Sequence, residues 1–120
     1  MSFWRKEVVE FALDQETLRH VREQRDWIAR EPENPRPYHH LALLYRMQGK
    51  QEEALGLLLE AVRLDARFAE AHVELAQIYA LQQDVAAAWR HARAAQRAGD
   101  SRAVELLARH CVPEPPSPTA

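Results

Sequence analysis

Displaced by 34 residues, the sequence falls on itself. Leu41, Ala42, Tyr45, Gln48, Ala54, Ala61 and Arg63 land on Leu75, Ala76, Tyr79, Gln82, Ala88, Ala95 and Arg97. A period of this length, filled by two helical patterns, restricts the chain to a stack of helical hairpins in which each unit touches only its neighbours. Small and aromatic residues carry much of the coincidence. They let helices approach closely, so the period records packing and not composition. Strand-like alternation of apolar and polar residues is absent throughout.

All seven prolines fall in two clusters, 32–37 and 113–118, and the chain between them is free of the strongest helix breaker. From Pro37 a helix is predicted to about Gln48, with Tyr38, Leu41, Ala42, Leu44 and Tyr45 at helical spacing and Gly49 suited to the left-handed turn that ends it. A second helix is predicted over about Gln51 to Asp65, burying Ala54, Leu55, Leu58, Ala61 and Val62. Phe68 to Gln82 repeats the first pattern through Ala71, Leu75, Ala76, Ile78 and Tyr79. Asp84 is a good N-cap for a helix over about Val85 to Ala98. A shorter helix, about Ser101 to His110, offers Val104, Leu107 and Ala108 to the preceding pair.

These residues resemble the tetratricopeptide repeat. That family places a bulky residue, then Leu-Gly/Ala, then an aromatic on its first helix, two small alanines on its second, and often a proline near the repeat's end. One unit here reads Tyr38, Leu41-Ala42, Tyr45, Gly49, Ala54, Leu58 and Ala61. The next reads His72, Leu75-Ala76, Tyr79, Ala88, Ala92 and Ala95. One period earlier, Trp4 and Phe11 fall on Tyr38 and Tyr45, and Pro32 stands where the family often has proline. Glu7, His20 and Trp27 depart from the pattern there, which fits either a loosely packed repeat or an N-terminal cap. The resemblance implies an all-α, right-handed superhelical stack of antiparallel helix hairpins. The expected organisation is a degenerate N-terminal hairpin over 1–34, repeat units over 35–68 and 69–102, a capping helix over 101–111 and a disordered Pro-rich tail over 112–120.

Several function classes are disfavoured by composition. A formal charge of -2 gives no overall field to attract nucleic acid or anionic lipid. No run of about 20 apolar residues exists to span a membrane. Cys111 is the lone cysteine, which rules out an intrachain disulfide and suits a reducing compartment, so the cytoplasm is the expected location. The six histidines include no i, i+4 pair of the kind that holds zinc on a helix, and the three glycines are scattered. Neither metal, cofactor nor catalysis is expected.

Proteins similar to this one hold extended peptides or partner helices in a concave groove lined by the first helix of each unit. Carried onto this sequence, the groove would present His39, His40, Leu43, Arg46 and Met47 from one unit. The next would present Val73, Glu74, Gln77, Ala80 and Leu81, with Arg5, Val9 and Leu13 extending the groove N-terminally. Its polarity would divide, with Arg5, Lys6 and Arg46 at one end facing Glu70 and Glu74 at the other. An acidic or C-terminal carboxylate segment would then dock at Arg46, a bidentate donor. The expected function is a non-catalytic interaction module, an adaptor or scaffold. The alternative is a self-assembling structural subunit, a homo-oligomer joined through the aromatic N-terminal helix at Phe3, Trp4 and Phe11, with Trp27 as a further candidate.

Overall fold

In the computed structural model, which describes residues 2–116 and side chains from Lys6, the described residues form six helices. They are α1 (Ser2–Arg30), α2 (Pro35–Met47), α3 (Gln51–Leu64), α4 (Ala69–Leu81), α5 (Val85–Arg97) and α6 (Arg102–Arg109). Each helix packs on its chain neighbours, and α4 also touches α6. The result is an all-α helical repeat.

The period is as plain in the turns as in the helices. After α2 the chain reverses through Gly49 at φ 79°, and the Lys50 amide donates to Tyr45 O at 2.8 Å. After α4 the same bond recurs from Asp84 to Tyr79 O at 2.9 Å, with Gln83 at φ 63° in the glycine's place. After α5 it runs from Asp100 to Ala95 O through Gly99, and after α6 from Val112 to Leu107 O through Cys111 at φ 56°. In each turn a left-handed residue lets orphan carbonyls of the last helical turn find donors. The start of α2 is held by Asn34, whose side chain accepts from the Arg36 amide, with Pro35 in the first turn.

Between the helices the small residues vanish from solvent. Ala42, Ala54, Ala61, Ala71, Ala88, Ala92 and Ala95 have no exposed surface, and Leu58 and Leu75 fill the space they leave. One core joins α2, α3 and α4 with Val21 of α1. A second joins α4 and α5 to Ala103 and Leu107 of α6. A helical hairpin cannot bury its own apolar face, so each unit is completed by the next.

The N-terminal hairpin expected over 1–34 is not formed: the chain instead makes one continuous helix from Ser2 to Arg30. Three local causes agree. At the turn position of the later units, Gln48-Gly49-Lys50, the first unit has Asp14-Gln15-Glu16, with no glycine to reverse the chain. From that point onward run helical pairs at i, i+3 and i, i+4, Glu16–Arg19, Arg19–Glu23 and Glu16–His20. His20 and Trp27 also stand where Ala54 and Ala61 admit the close approach of α2, and they are too large to admit a helix there. Residues 6–16 of α1 consequently lie exposed.

The tail is likewise not free where it is described. Residues 112–116 return across α5, and Arg93 grips Glu114 through Nε and Nη2 at 2.9 and 2.5 Å. The same guanidinium lies over Trp89, 5.3 Å from its ring centroid. The last four residues of the expected tail, 117–120, lie outside the described residues.

Candidate functional site

The first helices of successive units, α2 and α4, lie side by side with α6 beyond them. Together they form a depression of about 330 Å³ lined by Arg46, Gln77, Ala80, Leu81, Leu106, Leu107, His110 and Val112. Its wall is mostly apolar. Gln77 and Leu81, the latter 70% exposed, form its α4 side, while their equivalents one repeat earlier, Leu43 and Met47, lie outside the lining and Met47 borders a separate cleft with Leu18. A bare leucine at a helix end, on a face otherwise closed by alanine packing, is surface available to an incoming side chain.

At the centre of this face Arg46 is already engaged. Its guanidinium donates to the Glu74 carboxylate and, at 3.2 Å, to Gln77 Oε1. Both side chains of the ion pair are about four-fifths buried. The expected division into a basic and an acidic end is therefore corrected: the two polarities meet as one bridge tying α2 to α4. The cause is geometric, because α2 and α4 lie one repeat apart and residues near the end of one reach the middle of the other. The face left to a ligand is near neutral.

Two other expected groove residues are turned inward. His39 and Val73 are equivalent positions, and both are buried, at 7% and 3% exposure. His39 packs its ring 5.2 Å from Phe68, and burial lowers its pKa. Val73 belongs to the core shared with α5 and α6. Their side of the helix meets the next unit and not solvent. His40 is exposed and set edge-on to Trp27 at 5.9 Å, while Trp27 donates its indole N–H to Glu31 at 2.8 Å. The side chains of Arg5, Phe3 and Trp4 lie outside the described residues, and Phe11 stands 65% exposed on α1, remote from the depression.

A polar network behind the site escaped sequence reasoning. His72 is buried as its register with Tyr38 demands; its Nε2–H donates to Ala66 O at 2.8 Å. That leaves its Nδ1 to accept from His91 Nδ1–H at 3.0 Å. The His91 ring stacks on Tyr79 with centroids 5.5 Å apart. Burial, with His72 and Arg90 beside it, lowers the His91 pKa to about 4, so the His91 ring is neutral at physiological pH. The equivalent of His91 one unit earlier is Leu57, so the period carried no signal for this polar stack. Arg25 of α1 similarly donates to Tyr45 Oη at 3.1 and 2.5 Å, fastening α1 to α2.

Among the described residues, no group of three His, Cys, Asp or Glu side chains is placed to hold a metal ion. The perturbed carboxylates, Glu60, Asp100 and Glu114, are each lowered by an arginine hydrogen bond, the signature of structural ion pairs. What the face can do chemically is receive apolar side chains and exchange hydrogen bonds at its rim. No described helix is long and apolar enough to cross a membrane.

A family model described as a TPR repeat matches residues 43–83, and another, described as a tetratricopeptide repeat, matches residues 25–56. Together they run from the C-terminal part of α1 to the turn after α4. No curated protein matches the chain.

Proposed function

From the premise that the chain is a tetratricopeptide-repeat-containing protein, a family that generally mediates protein–protein interaction, we propose that it is a non-catalytic binding module. Its ligand is a peptide or partner helix seated on the α2–α4–α6 face. The observation that carries this reading is the apolar depression itself, lined by Leu81 and Leu106 and by Arg46, whose charge is already paired with Glu74. A face whose charges are already paired selects by shape and apolar contact, so the ligand presents two or more apolar side chains and little charge at its centre. His110 and Gln77 at the rim supply orienting hydrogen bonds. The lone exposed thiol at Cys111 supports residence in a reducing compartment such as the cytoplasm.

Selection of peptides from a displayed library against the whole chain, followed by amide shift mapping, tests the proposal. Ligands recovered on wild-type protein should perturb Gln77, Leu81 and Leu106 and lose roughly tenfold or more in affinity on Leu81→Asp. Ligands that bind Leu81→Asp equally well, or that map to α5, would overturn it.

A further inference from the structure

The exposed half of α1 carries an apolar stripe that the body leaves largely uncovered. Val8, Phe11 and Leu18 are 62%, 65% and 42% exposed, and with Gln15 they recur at alternating intervals of three and four. In the sequence Trp4 continues the same spacing. That 3.5-residue rhythm is the seam of a two-stranded coiled coil, whose supercoil keeps one face on a second helix. The stripe lies about 100° around α1 from Val21 and Ile28, the residues that pack on the rest of the chain. The body therefore leaves the stripe open.

The occupant follows from the residues beside the seam. Taking Val8 and Gln15 as a positions and Phe11 and Leu18 as d positions, Asp14 falls at g and Arg19 at the following e. In a parallel, in-register pair, a g residue meets the partner's next e residue, so Asp14 of each copy faces Arg19 of the other. A β-branched residue at a with leucine at d favours two strands, and a polar a residue such as Gln15 fixes alignment. The stripe also continues onto the body, where Leu18 and the 75% exposed Met47 line one cleft with Asp14 and Thr17. An isolated helical arm of this length is marginal in water, so a covering partner is what makes it persist.

We propose that two copies of this chain pair through α1, in parallel, along the Val8–Phe11–Leu18 seam. This dimer surface is separate from the α2–α4–α6 face and does not depend on what that face binds.

Sedimentation equilibrium of the whole chain tests the pairing. Wild-type protein should reach twice the 13.9 kDa chain mass with rising concentration. Phe11→Asp and Leu18→Asp should each raise the dimer dissociation constant roughly a hundredfold. Leu13→Asp, at a position 57% exposed but on the outer face of the pair, should leave it unchanged. Asp14→Arg and Arg19→Asp should each weaken the dimer alone, and mixing the two variants should restore it. Circular dichroism verifies that every variant keeps its helical body. A monomer at submillimolar concentration would overturn the proposal, including one that takes up a different protein's helix or binds vesicles. So would a dimer indifferent to Phe11→Asp, or an Asp14→Arg and Arg19→Asp mixture no tighter than its parts.

Discussion

Gln83 stands at φ 63°, at the position where the preceding unit has Gly49 at φ 79°. A side chain in the left-handed region costs about 1 kcal/mol or more, which glycine avoids at some cost in unfolded-state entropy. Replacing Gln83 by glycine should therefore raise stability by about 0.5–1 kcal/mol in chemical denaturation. Gly49→Ala should lower it by a similar amount, although nothing lies within 4 Å of the added methyl. Gly49 announced its turn in the sequence. Gln83 did so only through the repeat, since nothing in glutamine itself marks a left-handed residue. The site divided in the same way. Met47 and Leu81 were readable as surface, whereas His39 and Val73 looked equally available and proved buried. A single helix shows which residues share a side, and the next unit decides which sides are covered.

At the scale of elements, α3 and α5 depend on alanine where α2 and α4 press against them. Ala61→Leu should cost about 1–3 kcal/mol in a denaturant titration, because the added branch has no space to enter. The C-terminal half of α1 is the counterexample written into the chain. With His20 and Trp27 in the corresponding places the N-terminal half does not fold back on it, and α1 is one continuous helix. The elements of that departure were visible in the sequence, but their consequence was not, since it required weighing a missing turn residue against a weak apolar repeat. The segment 112–116 is held chiefly through an exposed contact between Arg93 and Glu114. Glu114→Ala should leave the thermal midpoint of the whole chain unchanged while increasing proteolysis and amide exchange at 112–116, measured by mass spectrometry.

Over the whole molecule, the shifted histidines and carboxylates agree in sign. His91 and His39 have folded pKa values lowered by burial, so the unfolded chain binds more protons as pH falls through the ordinary histidine value of 6.5. Stability is therefore full above that value and declines as pH drops toward the folded value of about 4 for His91. The lowered carboxylates of Glu60, Asp100 and Glu114 add a second loss as pH falls below their ordinary range. The melting temperature should fall from about pH 7 to about pH 5, and His91→Gln, which keeps a donor toward His72, should flatten that slope whatever it does to stability itself. The sequence by itself determined that this is a stack of helical hairpins, where most helices begin and end, and which alanines vanish inside. Those features are local and repeated, so each unit testifies for the next. The tertiary structure alone decided that Arg46 and Glu74 cancel, that His72 and His91 meet, that 112–116 lie on α5 and that α1 leaves a face uncovered. Each of these joins residues distant in sequence or lies outside the two clear repeat units, where the period could not reveal it.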